Sequence, residues 1–119
     1  MTPNLDDLYA VLCQWAAAGK PQSYKQLSHA YQARTGDWFE FHGSWDAPLG
    51  EINKHMANVG APALSALVIL QGQNEPGGGF WGCAPNVPPR PKKDIDRIAE
   101  WSRILNDVLA YPWPPVLPP

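Results

Sequence analysis

Proline and glycine stops divide the first half of the chain into three helix-length segments, and this punctuation most constrains the fold. The stops stand at Gly19 with Pro21, at Gly36, and at Gly60 with Pro62. Glycine ends helices because it readily adopts the left-handed conformation, and proline cannot continue a helix because it has no amide hydrogen. The spacing therefore predicts three short helices in succession.

Each of the three segments also has a start signal. Asn4 is a good N-cap for a helix that runs to about Ala18, and Ser23 with Gln26 forms a capping box before the second helix. Pro48 stands in the first turn of the third helix, where a missing amide hydrogen costs nothing. Apolar residues recur at helical spacing in all three segments, so each helix has one face for a core.

A seven-residue apolar run, residues 64–70, follows the third helix, and its length and β-branched content favour a strand. Pro76 and the glycines at 77–79 predict a turn with positive φ angles. Phe80 and Trp81 would open a return strand, so we expect a β-hairpin with a long tip. The aromatic segment at residues 37–45 fits either a short strand or a loop packed on the core.

Three helices followed by a hairpin is the element order of a winged helix. The sequence thus predicts a small α/β (more strictly α+β) winged-helix-like domain over residues 1–84. A proline-rich linker (85–93), a C-terminal helix that packs on the core (94–111) and a proline-rich tail (112–119) complete the single domain. The apolar side of the C-terminal helix is expected to hold Ile95, Ile98, Trp101, Leu105, Val108 and Leu109.

Two resemblances support this interpretation. From residue 23 to residue 80, the spacing of Tyr24 with Leu27 and of Gly50 with Ile52 resembles the winged-helix half of alkyltransferase-like DNA-repair proteins. Those proteins carry a Pro-Cys-His-Arg-type reactive site after the third helix, whereas residues 61–65 here contain neither cysteine nor arginine, so no catalytic residue is implied. Residues 62–81 also resemble a P-L-L-S-A-L-V-V-N-x-x-T-G-x-P-G-x-G-F motif of uncharacterised bacterial proteins, which implies no particular chemistry.

DNA binding is the first functional hypothesis. In a winged helix, outward side chains of the third helix contact bases and phosphates in the major groove. The formal net charge of −2 opposes strong non-specific binding, because phosphate contacts provide most of its affinity. A merely solvated helix face is the alternative. The candidate DNA-binding residues are Asn53, Lys54, His55 and Asn58 on the third helix, with Lys92 and Lys93 in the linker.

Binding of a partner protein is the second hypothesis. The chain contains six tryptophans, and aromatic side chains dominate the energetic hot spots of protein interfaces. Trp38, Trp45 and Trp81 fall in loops or at element ends, which makes them the candidate partner-binding residues. A mildly acidic domain of this kind fits a phage- or defence-associated inhibitor or immunity protein. A satellite core beneath the loops would explain the same residues.

A metal-dependent enzyme is the third hypothesis. Glu51 and His55 are four residues apart on one helix face, a spacing that metal sites use, although the full His-Glu-x-x-His pattern is missing. The glycine-rich turn could hold an anion through backbone amides, but a tight hairpin tip is the favoured interpretation. We expect no catalytic residue, no cofactor and no bound metal, and favour a non-enzymatic protein.

The remaining features concern redox state and location. Cys13 and Cys83 are too few for a disulfide framework, and a bridge between them stays open. The sequence has no apolar stretch of about 18 residues and no signal-peptide pattern, so we expect a cytoplasmic protein with no membrane contact.

Overall fold

Four α-helices and a two-stranded parallel sheet form the domain, for which the computed structural model describes residues 2–119. The elements are α1 (Leu5–Ala18), β1 (Gln22–Ser23), α2 (Tyr24–Thr35), α3 (Asp46–Asn58), β2 (Val68–Ile69) and α4 (Asp94–Ala110), with short 3-10 helices at Leu64–Leu67 and Gly78–Phe80. The predicted small domain of mixed helix and strand is confirmed in this coarse form, as a helix-dominated domain.

The predicted helix boundaries are confirmed by their capping contacts. The Asn4 side chain accepts a hydrogen bond from the amide of Asp7 (3.0 Å) at the start of α1. In the capping box of α2, the amide of Gln26 donates to Ser23 Oγ (3.1 Å), and the Gln26 side chain accepts from the Ser23 amide (2.8 Å). Gly19 and Gly36 end their helices in the left-handed conformation, with φ of 67° and 81°.

The predicted β-hairpin is wrong. Only Val68 and Ile69 of the run at 64–70 are extended, and they pair in parallel with Gln22 and Ser23 instead of with a return strand. Phe80, which was expected to open that strand, ends the second 3-10 helix.

The hairpin prediction is wrong because of where Leu64–Leu67 lies in the fold. This 3-10 helix lies at the centre of the core and packs against α1, α3 and α4. Leu64, Ala66 and Leu67 are all fully buried, and the Trp101 indole N–H donates to the backbone oxygen of Ala66 (2.8 Å). A segment surrounded on every side is uniformly apolar whatever its conformation, so its pattern does not distinguish a strand from a short helix.

Residues 37–45 form a loop packed on the core, which resolves the alternative left open by the sequence. Ser28 on α2 organises this loop: its hydroxyl donates to the backbone oxygen of Phe39 (2.6 Å) and accepts from the indole N–H of Trp45 (2.8 Å). The loop therefore delivers the chain to the start of α3 in a fixed position.

The C-terminal third wraps around this core. The inner face of α4 buries Trp101, Ile104 and Val108. The tail then crosses α1 and α3, where the Tyr9 hydroxyl donates to the backbone oxygen of Pro114 (2.7 Å). Burial raises the pKa of Tyr9, which keeps this hydroxyl protonated as a donor. No helix within residues 2–119 combines the length and apolar character needed to cross a membrane.

Cys13 and Cys83 are both free thiols, so no bridge links them in the described chain. Burial raises the pKa of Cys13. A thiol with a raised pKa is a poor nucleophile, and Cys13 therefore behaves as a small apolar residue.

Candidate functional site

A cleft of about 390 Å³ opens between the start of α2, the loop before α3 and residues 70–78. We call it the Tyr24 cleft. Its volume falls within the range of about 300 to 1,000 Å³ that is typical of ligand sites. The side chains and backbone that give it chemical character are Tyr24, Lys25, Phe41, His42, Asp46 and the glycines at 77 and 78.

Two helix starts place the polar groups of the cleft. Tyr24 is the first residue of α2 and Asp46 is the first residue of α3. The Ser23 capping box fixes the orientation of the first turn of α2. Asp46 stands in the first turn of α3, where the helix dipole favours a negatively charged side chain.

The Tyr24 hydroxyl is tied to the glycine-rich segment by a hydrogen bond from the Gly77 amide (2.9 Å). Burial raises the pKa of Tyr24 to about 12; the Gly77 hydrogen bond opposes this shift, and the negative charge of Asp46 adds to it. The phenol consequently stays protonated at neutral pH. Its own hydrogen is available for donation.

Gly77 and Gly79 are required for space, and the prediction that the glycines at 77–79 adopt positive φ angles is wrong. None of the three lies in the left-handed region. A β-carbon on Gly77 would stand 3.0 Å from the Tyr24 hydroxyl oxygen, and one on Gly79 would meet both carboxylate oxygens of Asp46 below 3.0 Å. The segment is glycine-rich because these two side chains lie directly against its backbone.

Anion binding by this segment is disfavoured by the same contacts. The Gly77 amide already donates to Tyr24, and the Phe80 amide donates to the backbone oxygen of Gly77 (3.1 Å). The carboxylate of Asp46 lies over Gly79, where it would repel a second negative charge.

Asp46 itself has no Lys, Arg or His partner within 4.0 Å among the described residues. Its neighbours in the cleft include the rings of Phe41 and His42, whose centroids are 4.2 Å apart. Trp38 and His29 extend this aromatic cluster away from the cleft, with Trp38 packed edge-on against Phe41. An unpaired carboxylate beside aromatic rings is suited to an organic cation.

The predicted DNA-binding residues of α3 do not form one exposed surface. Asn53 was expected to face outward, which is wrong: it is fully buried, and its side chain bonds the Ser65 hydroxyl (2.7 Å) and amide (3.2 Å). His55 donates from Nδ1 to the backbone oxygen of Pro118 (3.0 Å), so the tail covers part of this face. Lys54 and Asn58 are exposed.

The linker lysines, Lys92 and Lys93, are exposed just before α4. Arg97, one turn into α4, is largely buried and contacts Glu75 (3.6 Å) and Asp94. The Arg97 charge is therefore paired within the fold, and its contact with Glu75 holds the loop at residues 70–77 against α4.

Of the three predicted partner-binding tryptophans, only Trp38 is exposed, with 40% of its surface accessible. Trp45 has no accessible surface and its indole N–H is satisfied by Ser28. Trp81 is also buried, edge-on against Phe80. The prediction that Trp45 and Trp81 lie on the surface is wrong, because both complete the core beneath the loops.

Glu51 and His55 have other partners in this structure. The Glu51 carboxylate pairs with Lys54 (3.2 Å), and His55 bonds the tail. Residues 2–119 contain no group of three or more His, Cys, Asp or Glu side chains placed to hold a metal ion. A third ligand for the proposed metal site is thus missing from the described chain.

Comparisons with protein-family models, with curated proteins and with solved structures found no match to this chain. The geometry of the Tyr24 cleft is therefore the basis for assigning a function. Neither Tyr24 nor Asp46 belongs to a sequence motif that assigns it a functional role. The single signal that points to the cleft is the glycine run at 77–79, since unusual glycines mark places where other groups approach the backbone.

Proposed function

We propose that this chain is a protein-interaction module whose Tyr24 cleft takes a basic side chain, preferentially arginine, of a partner protein. The observation that carries the proposal is the Asp46 carboxylate, which has no basic partner in the described chain and stands in an aromatic-walled cleft. The proposal keeps the protein-partner hypothesis but moves its site from the three tryptophans to the cleft.

Arginine fits the arrangement better than lysine for two reasons. A guanidinium is planar and donates two parallel hydrogen bonds to one carboxylate. The same plane stacks on aromatic rings, and Phe41 lines the same cleft as Asp46. A lysine ammonium is not planar, so it neither donates two parallel hydrogen bonds to one carboxylate nor stacks on an aromatic ring.

Rigidity supports the proposal as well. Tyr24 is held by the Gly77 amide, and the Asp46 carboxylate lies against the backbone of Gly79. A site whose groups are already in place loses little conformational entropy on binding. The exposed Trp38 beside Phe41 would add contact area from the partner's neighbouring residues.

The test is a calorimetric titration of the protein with N-acetyl-arginine methylamide. We expect a dissociation constant on the order of 1 mM, as is typical of so small a ligand. The matched citrulline compound has the same shape without the charge and should not bind measurably. Binding of both compounds with equal affinity would overturn the proposal.

Variants locate the binding. Asp46→Asn removes the charge while keeping the shape, and it should weaken arginine binding by about tenfold or more, because hydrogen bonds to charged groups are worth about 1.5 to 3 kcal/mol. Asp37→Asn is the control, since Asp37 is an exposed carboxylate that does not line the cleft. Equal effects of the two variants would assign the affinity to general charge.

DNA binding remains a second proposal, supported by the order of the first three helices and by exposed Lys54, Lys92 and Lys93. Its winged-helix form lacks the wing, because residues 64–81 do not form a hairpin. The net charge of −2 and the tail contact at His55 weigh against it. A cytoplasmic location belongs with either proposal, and the free thiols are compatible with a reducing compartment.

A further inference from the structure

Helix α4 carries two apolar faces, and only one of them is used by the fold. Trp101, Ile104 and Val108 point into the core. A second row, which we call the outer stripe, runs along Ile95, Ile98, Ser102, Leu105 and Leu109. Its apolar members were expected on the core side, and for Ile95, Ile98 and Leu109 this prediction is wrong: they are exposed by 75%, 45% and 36%.

The two faces are separate because of helix geometry. Successive residues are rotated by about 100°, which puts the outer stripe roughly a quarter turn away from the buried row. Leu105 lies between them and is half-buried. The outer stripe thus extends along nearly the whole of a helix that is about 25 Å long.

We propose that the outer stripe pairs antiparallel with the same stripe of a second copy of this chain. Its residues are spaced by three, four, three and four positions. This alternation averages 3.5 residues, which is the spacing of a seam between two packed helices. A helix is therefore the occupant that the stripe fits.

The edge of the stripe favours contact between identical copies. On the solvent side it is bordered by Ala99, Asn106 and Ala110, which are small or uncharged and exposed. Two copies can therefore approach closely without like charges opposing each other. The charged pair Glu100 and Arg103 lies farther around the helix and is satisfied internally.

Charge at the two ends selects the antiparallel orientation. Lys92 and Lys93 are exposed just before α4, whereas the last turn of α4 contains no basic residue to offset the negative end of the helix dipole. Antiparallel pairing brings the lysines of each copy to the C-terminal end of the other helix. Parallel pairing would place the four lysines together.

One helix from each copy buries less area than a standard interface, so the dimer is weak, with a dissociation constant on the order of 10 to 100 μM. Sedimentation equilibrium of the full chain from 5 to about 500 μM tests it. The weight-average mass should rise from monomer toward dimer. A monomer across the whole range would overturn the proposal.

Variants distinguish dimerisation through the outer stripe from association through other exposed apolar residues. Ile98→Glu should raise the dissociation constant of the dimer at least tenfold, and so should Ile95→Asp at the most exposed position. Val116→Glu is the control, since Val116 is an exposed apolar residue of the tail that lies outside the stripe. Circular dichroism of each variant establishes that it is folded. A dimer that persists in both stripe variants would overturn the proposal.

Orientation has its own readout. Lys93→Glu should weaken the dimer several-fold, and raising the salt concentration should weaken the wild-type dimer in the same direction. If the charge reversal instead strengthens the dimer, as relief of repulsion between adjacent lysines would, the antiparallel arrangement is excluded. Asp46→Asn should leave dimerisation unchanged, so this proposal and the arginine-binding proposal fail independently.

Discussion

The carboxylate of Asp46 lies directly against the α-carbon of Gly79, so that a β-carbon at residue 79 would come below 3.0 Å from both carboxylate oxygens. This contact joins the start of α3 to a segment 33 positions later in the chain. Asp46 is exposed, and its side chain lines the cleft. The position of Asp46 is therefore sensitive to what stands at residue 79.

Gly79→Ala should displace the Asp46 carboxylate and reduce arginine affinity about as much as Asp46→Asn does. The free energy of unfolding should change little, because Asp46 is exposed and its carboxylate can move away from the added methyl. Gly78→Ala is a close control, because a β-carbon there meets nothing within 4 Å. Calorimetric titration and chemical denaturation measure the two effects. Equal arginine affinity of the Gly79 and Gly78 variants would contradict the contact between Gly79 and Asp46.

Lys25→Glu should strengthen arginine binding by about two- to fivefold. Lys25 lines the cleft and is exposed, so its positive charge repels a guanidinium across solvent. Lys20→Glu makes the same charge change outside the cleft and should alter affinity much less. The same titration at low salt tests this, and weaker binding by the Lys25 variant would count against the assigned site.

The stability of the fold should fall as the pH rises from 10 toward 12. Burial raises the pKa of Tyr24 to about 12, above the value of about 10 in the unfolded chain. The stabilisation is complete below pH 10 and is lost as the unfolded state releases a proton that the folded state keeps, by at most about 1.4 kcal/mol per pH unit. Urea titrations at pH 9 and 11 measure the loss.

Tyr24→Phe separates this group from other alkaline titrations. The variant has no phenol at residue 24, so its loss of stability between pH 9 and 11 should be smaller than that of the wild type. Tyr9, whose pKa is also raised by burial, accounts for part of the remaining loss. An unchanged pH dependence in the variant would show that Tyr24 is not buried as described.

Asn53→Ala should destabilise the protein by about 1 to 3 kcal/mol, because it leaves the buried Ser65 hydroxyl and amide without their partner. Asn58→Ala, on the exposed side of the same helix, should change stability by no more than about 0.5 kcal/mol. Thermal unfolding of the two variants checks this difference. A small effect at both positions would mean that Asn53 is solvated.

The DNA-binding proposal predicts a complex with duplex DNA that weakens steeply as salt rises, because phosphate contacts release counterions. Combined replacement of Lys54 and Lys93 by alanine should weaken it further. A gel-shift or anisotropy assay at low and moderate salt measures both. If no duplex binds even at low salt, the proposal is abandoned.

Local signals predicted the helices well. Asn4, Ser23 with Gln26, Gly19 and Gly36 act within a few residues of themselves, so their effect follows from sequence alone. The strand prediction for residues 64–70 was wrong because the conformation of this segment depends on the three helices that surround it. Uniform burial removes the alternation by which a half-buried strand is normally recognised.

Non-local contacts explain the other errors. Asn53 looked like part of a polar helix face, but its partner Ser65 is 12 positions away and lies in the core. Trp45 lies in a loop and was expected at the surface, yet it is buried and its indole N–H donates to the Ser28 hydroxyl. Beyond the glycine run at 77–79, the Tyr24 cleft could not be predicted, because its walls come from three separate stretches of the chain.

The most direct test of the account is a map of backbone amide chemical shifts during titration of the isotopically labelled protein with N-acetyl-arginine methylamide. We predict saturable shifts confined to the cleft, at Tyr24, Asp46 and the glycines at 77–79, and their loss in Asp46→Asn. Shifts scattered over the surface, or equally large shifts with the citrulline compound, would contradict the assignment of this cleft as a site for basic side chains.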